Sequence, residues 1–315
     1  MQQSLIMLEI VCNLFLIKSL GKLKNKLIPQ IIHQTYHTSL LPSDIKDIVD
    51  ELKLKNPDWE YRFYDDQQCA DYILEQYGHE MLEVFYSINP AYGAARADLF
   101  RYLLLYREGG AYFDIKSTCT LALSQLINLD DEFLISNWPN ESGEFKGAGM
   151  KVELRHITGG EYQQWYIITK PFSPFLKAVI EIVVNNIKNY NPWKFSVAKR
   201  GVLKLTGPIA YTLAIHPLLS LNRHRYVRSH EEFSLKYSML KNSTAHVKLM
   251  SNHYSLSSEP IIFPKNKLDK FLYKSFIIIR FFIDGLVYKT IFKKNKERLT
   301  IKEEFNELIK NLRKY

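Results

Sequence analysis

"RADLFRYLLLYREGGAYFDIKS", residues 96–117, joins an apolar helix, a glycine turn and a strand in one run that ends at Asp114-Ile115-Lys116. Asp98 and Arg101 stand three apart and so share a helix face, while Leu99, Leu103 and Tyr106 supply apolar contacts elsewhere. An acid and a guanidinium at that position can both bond sugar hydroxyls; the plainer use is an internal ion pair, and such pairs are common on helices. Gly109-Gly110 supplies the φ freedom that a reversal needs. In the strand that follows, alternation predicts Tyr112, Asp114 and Lys116 on one face and Ala111, Phe113 and Ile115 on the other.

Open α/β sheets bind ligands beyond the carboxyl ends of their strands, so Asp114 and Lys116 are expected there together. Asp114 suits a hard cation, Mg²⁺ or Mn²⁺, through oxygen. Lys116 suits a phosphate. As a bare surface pair they would contribute little energy.

Outward from this run, the chain alternates strand and helix. "LIPQIIHQTY" (27–36) reads as a first core strand. Ser43 opens a helix that breaks at Asn56-Pro57, and Tyr61 to Tyr64 read as a strand. "DDQQCADYILEQYG" reads as a helix stopping at Gly78, followed by helix 92–107 and strand 111–115. Residues 137–160, rich in Gly, Asn and charge, read as a surface loop or hairpin excursion. "QQWYIITKPFSPFLKAVIEIVVNNIKNY" gives a strand, a Pro-bounded turn and a helix from about Pro174 to Ile187. "LTGP" places a Gly207-Pro208 turn at the head of another helix. This alternation predicts an α/β domain with a largely parallel sheet.

With 315 residues, 46% of them hydrophobic and 13% aromatic, the chain can build a substantial core, which excludes global disorder. Cys12, Cys69 and Cys119 are odd in number, far apart and without a CxxC spacing. They argue against a disulfide framework and a thiolate zinc site, and a reducing cytosol is the simpler compartment. The net charge of +9 is concentrated in residues 261–315, which hold 14 Lys and Arg against 6 Asp and Glu. An anionic partner is therefore expected at the tail. Its apolar stretch, broken by Lys274, Arg280, Asp284 and Lys289, suits a basic helix at a membrane interface or helices packed on the domain. The opening "SLIMLEIVCNLFLIKSL" contains Glu9 and lacks a small-residue cleavage site, so no cleaved signal peptide is expected. It reads as a packing helix, with a membrane-surface helix as the alternative. The expected division is an N-terminal helix (1–26), a catalytic domain (27–260) and a basic helical tail (261–315).

The helix, Gly-Gly turn and acid together make the run recognisable. It resembles the sugar-binding region of the DXD-containing glycosyltransferases of family 32, which include a yeast initiating α-1,6-mannosyltransferase and bacterial capsule and lipopolysaccharide enzymes. A more distant likeness is to the glucosyltransferase domain of large clostridial toxins. The resemblance covers roughly residues 27–260: "IPQIIHQTY", "NPDWEYRFYDD", "RADLFRYLLLYREGGAYFDIK", "QQWYIITKPFSPFL" and "LTGP" occur in the family's order.

The resemblance implies a GT-A fold, with a Rossmann-like nucleotide-sugar domain and helical additions at both ends, and a retaining glycosyltransferase activity in surface polysaccharide synthesis. Carried over by position, Asp98 and Arg101 bond donor-sugar hydroxyls, and Asp114 sits at a divalent cation and the sugar or ribose. His33, Gln34 and Tyr36 fall around the nucleoside, Tyr36 replacing a commoner Trp. Gly109, Gly110 and Gly207 lie at the donor, and Arg96 helps to offset phosphate charge. Lys116 departs from the family, which usually has a second acid there. That leaves three outcomes: a cation and lysine sharing the diphosphate, cation-independent transfer, or lost turnover. An active enzyme with altered dependence on Mn²⁺ or Mg²⁺ is expected.

A further cation ligand is expected at His253, with His246 as its rival. The implied partners are a UDP- or GDP-sugar and a glycan or lipid-linked glycan acceptor. The implied location is cytoplasmic, peripheral at the inner face of the cytoplasmic membrane. The rivals from other classes are a nucleotide-sugar or glycan-binding protein without turnover, and a nucleic-acid binder. The near-neutral body and the lack of a nucleic-acid module speak against the latter.

Overall fold

A computed structural model describes residues 26–240, 259–291, 308–310 and 312 of the chain. Strand β1 (Ile31–Thr35) is followed by α1 (Ser43–Lys55), β2 (Glu60–Tyr64), α2 (Asp66–Ser87), α3 (Gly93–Glu108) and β3 (Gly110–Phe113). Local chemistry explains several of these boundaries. Asp65 and Gln68 form a reciprocal capping box at the start of α2. Gly78, the expected stop of that helix, has φ 77° and breaks the helical geometry, but the chain resumes helix beyond it.

The second half carries β4 (Thr118–Cys119), α4 (Leu123–Leu126), β5 (Phe133–Ser136), β6 (Tyr166–Thr169) and α5 (Pro174–Lys188). These lead to α6 (Pro192–Phe195), α7 (Ala198–Leu205), α8 (Pro208–Ile215), β7 (Arg225–Val227), β8 (Leu235–Lys236) and α9 (Lys267–Ile291). Pro174 and Pro208 sit in the first turns of α5 and α8, where a missing N–H costs nothing.

The main sheet has the order β2-β1-β3-β6-β5-β7. Strands β2, β1, β3, β5 and β7 run one way and β6 runs against them. The α/β class with a largely parallel, Rossmann-like central sheet is therefore the one the chain adopts. Alternation along the strands splits the core in two. Tyr112, Phe133, Ile135 and Ile167 face α2, α3, α5, α7 and α8, while Ala111, Phe113, Leu134 and Ile168 face Leu52, Trp59, Leu123 and Leu126. Helices thus cover both faces, as a sheet dominated by parallel strands requires.

Direction decides where a site can form. The carboxyl ends of β1, β3, β5 and β7 and the amino end of β6 lie on one rim. That rim collects the residues after Thr35, Phe113, Ser136 and Val227 and those before Tyr166. A two-stranded antiparallel ribbon, β4 with β8, closes one side of it.

The boundary expected at residue 261 is not a break. Ile261 and Ile262 are buried in the main core, and Asn89 N donates to Ile261 O at 2.8 Å. The helical tail starts later, at α9, where Tyr273 and Ile277 pack against Val197 and Ala198. The same helix leaves Leu268, Phe271 and Ile279 exposed. Among the described residues no helix is long and apolar enough to cross a membrane. Residues 1–25 of the expected N-terminal helix lie outside the described residues.

Candidate active site at the strand rim

Helix α3 runs back along β3, so a helix rise of about 1.5 Å per residue meets a strand rise of about 3.3 Å. A few strand residues then return the chain to the level of the first turns of α3. Arg101 Nη1 lies 3.0 Å from Asp114 Oδ1, and Arg101 Nη2 lies 3.5 Å from Asp98 Oδ1. Arg101 Nη1 also donates to Gln164 O at 2.8 Å and Nε to Ala97 O at 3.3 Å, and the guanidinium lies 4.5 Å from the Tyr112 ring centroid. Burial works against the charge of Arg101, but Tyr112, Asp114 and Asp98 outweigh it and hold the guanidinium charged.

Asp98 is buried and accepts from Thr206 Oγ1 at 2.9 Å and Gln164 Nε2 at 3.2 Å. Burial pushes its carboxyl above the usual carboxylate range, against the pull of Arg101 and Thr206. The structure thus brings Asp98, Arg101 and Asp114 together and directs the polar atoms of the first two largely inward. Their side chains are 5% and 7% exposed, against 28% for Asp114. Asp114 is the acid of this group that faces outward.

The same-face expectation for Asp114 and Lys116 is corrected. Strand β3 ends at Phe113, and Ser117 N donates to Asp114 O at 2.8 Å, closing a turn over 114–117. The turn separates the two side chains. Asp114 goes to Arg101, whereas Lys116 Nζ donates to Tyr237 Oη at 3.0 Å and lies 4.2 Å from the Tyr237 ring centroid. Ser117 Oγ also donates to Tyr237 O at 2.6 Å, and Met239 N donates to Lys116 O at 3.0 Å. Gln34 Nε2 holds the turn from below through Asp114 O at 3.3 Å, and Tyr61 Oη donates to Gln34 Oε1 at 3.0 Å.

Several other expected donor contacts are scaffold residues. His33 is fully buried, with Nε2 at 3.1 Å from Gly109 O and Nδ1 at 3.4 Å from Tyr64 Oη, so it pins β1 to the glycine turn. Burial lowers its pKa to about 3, so the ring is neutral. Gln34 is equally buried and supports the Asp114 turn rather than reaching a nucleoside. Tyr36 packs with Ile45, Val49 and Ile115, its ring centroid 4.2 Å from that of His37, and is a core side chain. Arg96 donates twice to Ile88 O, at 3.0 and 2.7 Å, and lies over Phe85 and Tyr86, away from Asp114.

Gly109 precedes β3 and Gly110 begins it, on the opposite rim. There a Cβ on Gly110 would stand 2.5 Å from Ile31 O. Gly207 caps α8, and it is its neighbour Thr206 that touches Asp98. His253 and His246 lie outside the described residues. Among those described, no three His, Cys, Asp or Glu side chains come together as a cation site. An Asp114 carboxylate oxygen would supply one ligand to a hard cation.

Gln164, Thr206 and Tyr237 were not singled out from sequence, although Gln164 and Thr206 fall inside the quoted "QQWYIITKP" and "LTGP" blocks. Tyr237 carried no local signal.

Residues 42–134 match the family model described as "Glycosyltransferase sugar-binding region containing DXD motif". The chain is 27% identical over 210 residues to the mannosyl phosphorylinositol ceramide synthase SUR1 of Saccharomyces cerevisiae, covering 64% of this chain and 52% of that protein. It is 30% identical over 136 residues to the initiation-specific alpha-1,6-mannosyltransferase of Candida albicans, covering 40% and 34%. The chain thus spans about half the length of the first of these relatives or less. Among solved structures, the PaToxG glycosyltransferase aligns with 61% of this chain and 70% of its own, at 18% identity and a TM-score of 0.41.

Proposed function

We propose that this chain, whose residues 42–134 match the sugar-binding region of the DXD-containing glycosyltransferases, acts as a family 32 enzyme and moves a sugar, with retention, from a nucleotide-diphosphate donor to a glycan or lipid-linked glycan acceptor. The observation that carries the reading is Asp114. It is partly open at the carboxyl rim and fixed from behind by the buried Arg101 at 3.0 Å. The names of the fungal relatives favour a mannose donor and an acceptor at a membrane. A role in making a surface polysaccharide, capsule or lipopolysaccharide belongs to the same proposal.

In this reading Asp114 faces the donor and Arg101 keeps its carboxylate oriented, while Gln164 and Thr206 keep Asp98 from turning outward. A divalent cation, Mn²⁺ or Mg²⁺, held by Asp114 would neutralise charge developing on the departing diphosphate. Lys116 supplies a fixed positive charge at the same rim, on the Tyr237 side. The acceptor hydroxyl attacks the anomeric carbon from the face that the diphosphate leaves, and a diphosphate oxygen takes its proton. Tail residues 261–315, with the exposed Leu268 and Phe271 of α9, support a peripheral place at the cytoplasmic face of a membrane.

The test is a thermal-shift panel of UDP- and GDP-sugars, each with Mn²⁺ and with chelator. A ligand at one hundred times its Kd adds about 2.7 kcal/mol to the folded state. A shift with one nucleotide names the donor class. No shift with any donor sinks the proposal. Donor binding without product release would instead favour the alternative that Lys116 raises, a nucleotide-sugar-binding protein that has lost turnover.

A further inference from the structure

Beside Lys116 the rim opens into a depression of about 470 Å³, lined among others by Phe145, His230, Glu144, Glu231 and Tyr237. Its location is set by the acid turn itself, because Tyr237 is the residue that holds Lys116 and Ser117. Five rings from four separate segments meet here. Phe145 lies 5.0 Å from Trp138 and 5.5 Å from His230, and Tyr237 lies 5.0 Å from Trp138 and 5.5 Å from Trp165, all between centroids. Such a cluster at a rim, with Phe145 and Tyr237 only half-buried, offers apolar ring surface to a ligand rather than to the core.

The polar groups are placed for hydroxyls. Tyr166 Oη, Ser136 Oγ and Gln163 form a buried chain in which Gln163 Oε1 accepts from Ser136 at 2.8 Å. That orients the Gln163 amide, so its Nε2 donates to His230 Nδ1 at 2.9 Å. With Nδ1 an acceptor, the proton of the neutral ring sits on Nε2. His230 is therefore a donor, and burial keeps it uncharged, with its pKa lowered to about 4. Glu144 and Glu231 are acceptors at the mouth. The buried indole N–H of Trp165, 5.3 Å from His230 between centroids, finds no acceptor among the described residues. The charged side chains lining the depression are Glu144, Glu231 and Lys236, and Lys116 stands just outside it on Tyr237 Oη.

We infer that this depression is an acceptor subsite for a sugar ring, whose C–H face lies on Phe145 and whose hydroxyls meet Glu144, Glu231 and His230. The inference rests on the glycosyltransferase reading for its role in transfer, though not for sugar binding itself.

The test uses the full chain and the tryptophan emission of Trp138 and Trp165. Methyl α-glucoside is titrated into wild type, Phe145→Ala and Glu231→Ala. The expected result is a saturable emission change in wild type and its loss in Phe145→Ala. Glu231→Ala should weaken the binding several-fold. With a donor in place, Phe145→Ala should raise the KM for a neutral sugar acceptor about tenfold or more.

An unaltered affinity for the glycoside in Phe145→Ala overturns the inference. So does an unaltered KM in Phe145→Ala, or the absence of any emission change in a wild type that turns over donor. A wild type that binds the glycoside but releases no nucleoside diphosphate from any donor sinks the glycosyltransferase reading and leaves the subsite standing.

Discussion

Arg101 and Asp114 come within 3.0 Å of each other although one belongs to a helix and the other follows a strand, with the Gly109-Gly110 reversal between them. Arg101 is almost wholly buried and Asp114 is not. The pair therefore works as an anchored acid, with its fixed end in the core and its free oxygen at the rim.

Replacement of the two ends should separate stability from turnover. Asp114→Asn keeps the shape of a partly exposed group, so the urea midpoint should move little while sugar transfer falls about 100-fold or more. Arg101→Leu leaves Asp98 buried without its guanidinium and should cost about 3–5 kcal/mol in equilibrium unfolding. Full transfer by Asp114→Asn would remove Asp114 from the site.

Lys116→Asp tests the departure from the family's acid pair. It removes the ammonium held by Tyr237 and introduces a second carboxylate in the turn. The ratio of transfer with Mn²⁺ to transfer with chelator should rise in the variant. An unchanged ratio together with an unchanged donor affinity would make Lys116 a bystander.

Two glycines with positive φ should differ in cost. Gly78, φ 77°, has open space where a Cβ would go, so Gly78→Ala carries only backbone strain, about 1–3 kcal/mol. Gly110, φ 93°, adds a backbone oxygen, Ile31 O, at 2.5 Å from that Cβ. Gly110→Ala should therefore be the more destabilising of the two in urea unfolding. The reverse order would contradict the packing described around β1.

Acid should weaken the fold through His33. Its folded pKa of about 3 lies below the ordinary 6.5. The unfolded chain therefore takes up a proton that the native state refuses. Stability is complete above about pH 6.5 and falls as the pH drops toward 3, by at most about 1.4 kcal/mol per pH unit from this residue. His33→Gln should flatten the dependence of the unfolding free energy on pH between 6.5 and 5. An unchanged slope would show that His33 is not held neutral.

Helix α9 should carry the membrane contact. Phe271 and Leu268 are 65% and 63% exposed beside Lys267 and Lys270. Phe271→Ser with Leu268→Ser should lower co-sedimentation with vesicles containing anionic lipid several-fold. Undiminished sedimentation would place the contact elsewhere.

Much of the scaffold was legible because local rules and tertiary packing agree in it. Ser43 to Lys55 and Glu60 to Tyr64 fall where the proline break and apolar spacing place them, and α3 and β3 do so to within about two residues, although Pro42 and not Ser43 is the N-cap of α1. The Asp98, Arg101 and Asp114 group was legible for the same reason, since one contiguous run builds it. Lys116 was misread because alternation was carried past Phe113, through Asp114 to Lys116, whereas β3 ends at Phe113 and the Ser117 N to Asp114 O bond closes a turn. Its true neighbour, Tyr237, is 121 residues away and is brought in by the β4–β8 ribbon, whose two-residue strands leave no periodic signal. His33 and Arg96 meet carbonyls of the fold, and a polar residue looks the same in sequence whether its partner is a ligand or such a carbonyl.

Strand β6 has a consequence for how such a domain can diversify. Because β6 runs against its neighbours, the chain leaves β5 and returns to β6 on the same rim, so residues 138–161 form an excursion closed at its base by the Asn137–Tyr162 bridge. Insertions or exchanges within that excursion need not shift the sheet or the Arg101–Asp114 anchor. Phe145 and Trp138 both belong to it. Acceptor preference can thus drift between descendants of one ancestor by trading a single cassette, while the donor end of the machine is inherited intact.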